Sequence, residues 1–110
     1  MTHKITLGLA LDPEELAQLD ELAKDLHTSR SAIINDAVGI CVDNPETFGR
    51  IINALITRGN TTAPSSRKTN TSVLVNVSYL DRLDQMAHRL RMSRNTLVNI
   101  IMGGINLRVI

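Results

Sequence analysis

Aromatic side chains are scarce in this chain of 110 residues, since Phe48 and Tyr79 make up the whole aromatic share of 2%. Proteins that hold single-stranded nucleic acid stack bases on aromatic rings, so this scarcity argues against that class. The lone cysteine, Cys41, excludes an internal disulfide framework and fits a reducing compartment. No apolar run approaches the roughly 20 residues of a membrane-spanning helix, and no signal-peptide pattern begins the chain. We therefore expect a cytoplasmic protein with no membrane partner.

The groupings of residues that catalysis needs are also missing from the sequence. His3, His27 and His88 stand singly, without the spacing of metal ligands. Cys41 falls on an apolar stripe, which indicates a buried and inert thiol. Asp20 and Asp84 fall on helix faces, where solvation is their expected state, and no glycine-rich phosphate loop occurs. The sequence predicts neither an enzyme nor a metal, cofactor or small-molecule site.

What the chain does contain is an internal repeat with an offset of sixty-four residues. Nine residues of the window 9–39 recur unchanged at that offset, where unrelated sequence would give about two. The first copy contributes Leu16, Leu19, Asp20, Ala23, Leu26, Ser29, Arg30, Asn35 and Gly39, and the second contributes Leu80, Leu83, Asp84, Ala87, Leu90, Ser93, Arg94, Asn99 and Gly103. Each copy is too short to bury a core alone, so the copies are expected to complete each other in one compact unit.

The first copy, residues 1–43, begins with a strand. Residues 4–11 alternate strictly, which predicts a buried face made of Ile5, Leu7, Leu9 and Leu11. Asp12 followed by proline and two glutamates marks the start of an amphipathic helix that extends to about His27. Ser29 is then placed to cap a second helix.

The second copy, residues 68–104, follows the same plan. Val73, Val75 and Val77 are expected on the buried face of its strand, and Ser93 is expected to cap its second helix. Gly103-Gly104 is expected to end that helix and to leave an apolar tail at 105–110.

Between the copies lies a segment with no counterpart in the repeat. Residues 44–59 include a predicted helix over about 45–58, and residues 60–70 read as a polar linker. The apolar face of this inserted helix has two interpretations, which are packing on its own chain and association between chains. The tail at 105–110 shares both interpretations.

Charge is divided unevenly along the chain. Residues 1–63 hold five Lys/Arg against nine Asp/Glu, whereas residues 64–110 hold seven against two. An anionic partner of the second half and charge pairing between the halves are both consistent with this division.

The two copies place a strand and a helix before Ser-Arg-Ser-Ala-Ile-Ile at 29–34 and Ser-Arg-Asn-Thr-Leu-Val at 93–98. This order resembles the ribbon-helix-helix family, the MetJ/Arc/CopG superfamily, over residues 4–42 and 68–104, about seventy per cent of the chain. The resemblance implies a mostly α fold whose two strands pair as an antiparallel β-ribbon that enters the major groove of double-stranded DNA. Having two copies in one chain resembles the TraY-like proteins and implies a tandem, single-chain pseudo-dimer plus one extra helix. Pairing of like copies from two chains is the competing arrangement.

On the ribbon, the face opposite the core is the candidate for base contacts. A two-stranded ribbon fits the major groove, where amide and hydroxyl side chains can bond base edges and apolar ones can touch thymine methyl groups. The residues expected on that face are Thr6, Gly8, Ala10, Asn70, Ser72 and Leu74.

Backbone contacts are expected at the ribbon ends and at the starts of the second helices. Lys4 and Lys68 flank the strands. A helix N-terminus is a ready phosphate site, and the resemblance implies that this turn clamps the DNA backbone. A plain helix cap is the alternative. The residues assigned to these turns are Ser29, Arg30, Ser93, Arg94 and Arg91.

The sequence thus favours a sequence-specific DNA-binding protein, foremost a repressor that occludes a promoter. An accessory protein of plasmid transfer or partition is an alternative, and a protein-interaction module that binds no DNA is another. Neighbouring pseudo-dimers would be placed to associate with each other on DNA. Copy one departs from the family at Gly8 and Ala10, and glycine is absent from both turns between helices, His27-Thr28 and Arg91-Met92.

Overall fold

A computed structural model of the chain describes residues 3–57 and 69–106. This part of the chain is mostly helical, with five helices and a two-stranded antiparallel sheet. The elements are β1 (Lys4–Leu11), α1 (Pro13–Asp25), α2 (Arg30–Asp43), α3 (Pro45–Thr57), β2 (Thr69–Asn76), α4 (Val77–Arg89) and α5 (Arg94–Asn106). None of the helices in the described ranges is long and apolar enough to cross a membrane.

The sheet joins the two copies of the repeat within one chain. Gly8 lies opposite Ser72 at the centre of the register, with Thr6 opposite Leu74 and Ala10 opposite Asn70. Gly8 and Ser72 are separated by the sixty-four-residue offset, so they occupy the same position of the two copies. The strands therefore pair symmetrically about this central pair.

Alternation along both strands directs one face of the sheet onto the helices, as period-2 patterning requires. The core is formed by this face, the inner stripes of the helices and the inserted helix α3. Its fully buried large side chains are Leu11, Leu19, Ile34, Val38, Ile51, Val73, Val75, Leu83, Leu97, Val98, Ile101 and Met102. Ile5 shares the inner face but is 40% exposed, because it lies near the outer end of β1.

The turns between helices have the same geometry in both copies. The backbone N–H of Thr28 bonds the carbonyl of Ala23 at 2.9 Å, and that of Met92 bonds the carbonyl of Ala87 at 3.0 Å. These six-to-one bonds close a Schellman motif, which needs a left-handed residue just before the donor. His27 and Arg91 fill that position, with φ of 53° and 55°, where glycine is the usual residue.

Two sequence-based boundaries are wrong. The second strand does not include Val77, which begins α4 and is 36% exposed, because the chain turns into the helix after Asn76. The first helix ends at Asp25, two residues before the expected end at His27, since His27 adopts the left-handed conformation that terminates it.

Gly103-Gly104 does not end the last helix, which continues to Asn106 and buries Ile105. A Cβ added to Gly104 would lie 2.6 Å from Cγ1 of Ile51 on α3, and one on Gly103 would lie 3.3 Å from Cδ2 of Leu55. The glycines thus allow α3 to approach α5 closely. That contact outweighs the cost of about 1 kcal/mol that a glycine imposes inside a helix.

The inserted helix α3 packs on its own chain, against α2 and α5. Phe48 and Ile51 on its apolar face are buried at 4% and 0% exposure. Of the two interpretations of this face, the structure therefore shows packing within the chain. Lys68, most of the linker and residues 107–110 of the tail lie outside the described residues.

Candidate nucleic-acid interface

The outer face of the sheet includes the six residues that the sequence assigns to base contact. Each of three adjacent cross-strand pairs joins one polar residue to one small or apolar residue. Five of the six are exposed and Ala10 is half-buried. The pairs are Thr6 with Leu74, Gly8 with Ser72, and Ala10 with Asn70.

The chemistry of this face is neutral and suited to hydrogen bonding. Thr6 and Ser72 offer hydroxyl groups, and Asn70 offers an amide with both donors and an acceptor. Because each has a small or apolar partner across the sheet, no polar neighbour in its cross-strand pair competes for its hydrogen bonds. Leu74, at 47% exposure, is the large apolar side chain of the face.

Serine caps the second helix of each copy, as the sequence predicts. The hydroxyl oxygen of Ser29 accepts the N–H of Ala32 at 3.1 Å, and that of Ser93 accepts the N–H of Thr96 at 3.0 Å. The remaining N–H groups of a helix's first turn have no partner within the helix and carry its partial positive charge. Both helix starts thus offer donors suited to an anion.

At the start of α2, the helix and the outer face of the sheet border one open groove of about 510 Å³. Ser29, Arg30 and Ser31 line it from the helix, and Ser72 lines it from β2. Lys24 lies on the same groove. The turn that the sequence assigns to the DNA backbone and the strand that it assigns to base contact therefore border the same groove.

Arg30 and Arg94 are held in ion pairs that the sequence interpretation did not foresee. Nε of Arg30 lies 2.8 Å from Oδ1 of Asp20, and Nε of Arg94 lies 2.7 Å from Oδ1 of Asp84. Arg94 also donates through Nη2 to the second oxygen at 2.8 Å, and these hydrogen bonds raise the pKa of Arg94. The prediction that both aspartates are merely solvated is wrong. The recurrence of both residues in the repeat was the available signal.

Arg30 has a further partner, because Nη1 donates to the hydroxyl of Thr71 on β2 at 3.1 Å. It thereby links the start of α2 to the strand of the other copy. At the position of copy one that corresponds to Thr71, the chain has Leu7, which is buried. Arg94 therefore has no equivalent hydroxyl to bond.

Polar side chains of each second helix also hold the strand of the opposite copy. Ser31 accepts the N–H of Leu74 at 3.3 Å, and Asn95, its repeat equivalent, accepts the N–H of Ala10 at 2.7 Å. Leu74 and Ala10 are themselves repeat equivalents. Asn95 returns a second bond to the carbonyl of Ala10 at 2.8 Å.

One turn further along the second helix of each copy, an asparagine also bonds the backbone of the other copy. Oδ1 of Asn35 accepts the N–H of Asn76 at 2.8 Å, and Oδ1 of Asn99 accepts the N–H of Asp12 at 3.0 Å. Asp12 and Asn76 are the cap positions of α1 and α4. The second helix of each copy thus fixes the point where the other copy's strand turns into its helix. The sequence interpretation missed this role, although both asparagines recur in the repeat.

The remaining candidates occupy the rim of this surface. Lys4 is exposed and pairs across the sheet with Asn76, and Arg91 is exposed in the turn before α5. In the described ranges, no cluster of three or more histidine, cysteine or carboxylate side chains could hold a metal ion. Burial raises the pKa of the Cys41 thiol to about 11, which keeps it protonated and unreactive at neutral pH.

Comparison with known proteins agrees with this geometry for the first copy. Residues 5–38 match the family model of ribbon-helix-helix proteins of the CopG family. The matched segment covers all but the first residue of β1, the whole of α1 and the first part of α2, so the N-terminal part of the chain has a ribbon-helix-helix fold. No curated protein and no solved structure matches the chain.

Proposed function

We propose that this chain binds double-stranded DNA sequence-specifically, as a tandem ribbon-helix-helix pseudo-dimer, and represses transcription by occluding promoters. The observation that carries the proposal is the outer face of the intramolecular sheet. It presents Thr6, Ser72 and Asn70, each beside a small or apolar partner. A two-stranded ribbon with hydrogen-bonding side chains matches the width and the donor and acceptor pattern of the major groove.

The exchanged contacts support the pseudo-dimer. Asn35 and Asn99 each bond the cap position of the other copy, as the corresponding residues would in a symmetric two-chain assembly. The central pair of Gly8 and Ser72 lies where the two-fold axis of such an assembly would pass. Because the two half-faces differ in sequence, the favoured site is not palindromic and fixes the orientation of the protein.

Backbone affinity is assigned to the capped helix starts, with Ser29, Arg30, Ser93 and Arg94 on the two sides of the ribbon. Their free first-turn N–H groups and guanidinium groups suit the phosphates that border the groove. Contacts with further phosphates, at the edges of this surface, are assigned to Arg91, Lys4 and Lys68. Arg91 is exposed, and its repeat equivalent in copy one is His27. The second copy is therefore expected to attract the DNA backbone more strongly than the first.

The test is fluorescence-anisotropy titration of DNA from directly upstream of the chain's own gene against a scrambled duplex, at about 50 and about 200 mM salt. Asn70→Ala is expected to cost about 1–3 kcal/mol on the upstream site and to relax its preference over the scrambled one. Gln18→Ala, on the exposed surface of α1, serves as the matched control and should bind as the wild type does.

Preference for the upstream duplex that survives high salt and depends on Asn70 would establish ribbon readout and favour autorepression. Equal, salt-sensitive binding to both duplexes would favour an accessory role in DNA transfer or partition over repression of the chain's own promoter. No binding at low salt would overturn the proposal in favour of a protein-interaction module. A mass in solution that is never below twice 12.1 kDa would contradict the single-chain pseudo-dimer.

A further inference from the structure

Two exposed leucines occupy the same repeat position at the ends of the first helices. Leu26, after α1, is 59% exposed, and Leu90, after α4, is 43% exposed. Each leucine adds one large exposed apolar side chain to its end of the molecule. One belongs to each copy, and the two copies are paired about the central pair of Gly8 and Ser72.

The charged groups beside the two leucines have opposite signs. Glu21 and Asp25 precede Leu26, whereas Gln85 and Arg89 occupy the same repeat positions before Leu90. We name the surface of Glu21, Asp25 and Leu26 the acidic end and that of Gln85, Arg89 and Leu90 the basic end. All six of these residues are exposed.

Each end adjoins a cavity, and the two cavities are formed by equivalent parts of the two copies. The cavity at the acidic end measures about 190 Å³ and the one at the basic end about 240 Å³. The first is lined by Gln18, Glu21, Leu22 and Asp25, and the second by their repeat equivalents Arg82, Gln85, Met86 and Arg89. The second also has Phe48 of α3 in its wall, which makes it the more apolar of the two.

We propose that the acidic end of one chain binds the basic end of the next, so that chains on adjacent DNA sites associate head to tail in one orientation. The occupant of each surface is a second copy of this chain. Complementary charge favours acidic against basic, while two acidic or two basic ends repel. Lys24 lines the separate groove beside Ser29.

Head-to-tail contact of this kind is heterologous, so it extends in one direction and does not close into a symmetric dimer. The inference rests on the proposed function, because the patch is small and DNA must hold the chains side by side. Binding to adjacent sites raises the effective concentration of one end near the other. The contact therefore selects direct repeats of the binding site over inverted repeats.

The experiment uses a site that the full chain selects from a random duplex library, rebuilt as a single site, a direct repeat and an inverted repeat. Three proteins are titrated, which are the wild type, the variant Glu21→Arg with Asp25→Arg, and the variant Arg89→Glu. The readout is the ratio of two-site to single-site affinity for each protein, so a change in intrinsic DNA affinity cancels. Asp36→Arg, which reverses a charge on the exposed surface of α2 and lines neither cavity, serves as the control.

The wild type is expected to bind the direct repeat about 10-fold more tightly than independent sites allow, with little gain on the inverted repeat. Each charge-reversed variant alone should lose this gain, and an equimolar mixture of the two should regain it, since their ends are again complementary. Single-site binding without cooperativity, equal gain on both repeats, or no effect of charge reversal would overturn the inference alone. Failure of the library to enrich any sequence would overturn the proposed function as well.

Discussion

Gly8 and Ser72 face each other at the centre of the sheet, and they are also the same position of the two copies of the repeat. The pair combines symmetry of the backbone with asymmetry of the side chain. A hydroxyl projects from one strand, and nothing projects from the other. The outer face of the sheet is therefore directional at its centre.

Gly8→Ser is expected to make this centre symmetric without disturbing the fold. A Cβ at Gly8 meets no atom within 4 Å, so the added side chain has room. Glycine is a poor strand residue, and the substitution should raise the free energy of unfolding by about 0.5 kcal/mol. Thermal denaturation checks the sign. A clear loss of stability would mean that the outer face is covered at this point.

Asp20→Asn and Asp84→Asn are expected to increase DNA affinity, because each releases an arginine from its ion pair. The pairs are exposed, so each substitution should lower stability by less than about 1 kcal/mol. The slope of the logarithm of affinity against the logarithm of salt concentration should become steeper by about one for each arginine released. Anisotropy titrations across a salt series measure both effects.

Asp81→Asn is the matched control for that series. It removes the same charge from the exposed surface of α4, and within the described ranges Asp81 forms none of the ion pairs. An equal gain in affinity from Asp81→Asn would assign the effect to net charge and remove any special role of the released arginines.

Asn35→Ala is expected to destabilise the fold by about 1–3 kcal/mol, because it leaves the N–H of Asn76 without its acceptor. Asn76 is 8% exposed, so water cannot readily replace the lost bond. Asn99→Ala should also destabilise the fold, because the Asn99 side chain accepts the N–H of Asp12 and donates to the carbonyl of Ala10 at 3.0 Å. Urea denaturation with an unchanged m-value checks both losses. A loss no greater than that of Gln18→Ala would contradict the exchanged contact.

Gly104→Ala is expected to destabilise by about 1–3 kcal/mol, because its Cβ would overlap Ile51. The double variant with Ile51→Ala should lose less stability than the sum of the two single losses, which a double-mutant cycle measures. Gly49→Ala on α3 is the control. Its Cβ meets nothing within 4 Å, and it should stabilise the helix. Additive losses in the cycle would mean that α3 does not pack on α5 as described.

The buried thiol of Cys41 is expected to make stability fall at high pH. Burial raises its pKa from 9.0 to about 11, so the folded state keeps the proton while the unfolded state loses it. The contribution is fully present below pH 9 and is lost as the pH rises towards about 11, with a limit of about 2–3 kcal/mol. The difference in unfolding free energy between the wild type and Cys41→Ala should narrow over that range. A constant difference would contradict a protonated buried thiol.

The strand, the capped helices and the outer face of the sheet could be predicted because each depends on local pattern. Alternation places Thr6 and Ser72 away from the core, and Ser29 precedes a helical apolar stripe. The register could not be predicted from either strand alone, because a period of two fixes the face and not the partner. Only the structure shows that Gly8 pairs with Ser72.

The errors have a common physical origin in contacts between distant elements. Gly103-Gly104 has the local signature of a helix end, but its function is to admit α3, which a helical pattern does not show. Arg30 and Asp20 belong to different helices, so no spacing rule within one helix links them. In both cases tertiary contact overrode or supplemented a local preference.

Because β1 and β2 belong to the same chain, the sheet closes by a first-order process. Two-chain ribbons melt on dilution, and their abundance follows the square of the subunit concentration. In the single-chain pseudo-dimer that we propose, the fraction of chains with a formed ribbon would be the same at any copy number in the cell. Each half can also accumulate substitutions separately, since no change is copied into a symmetry mate.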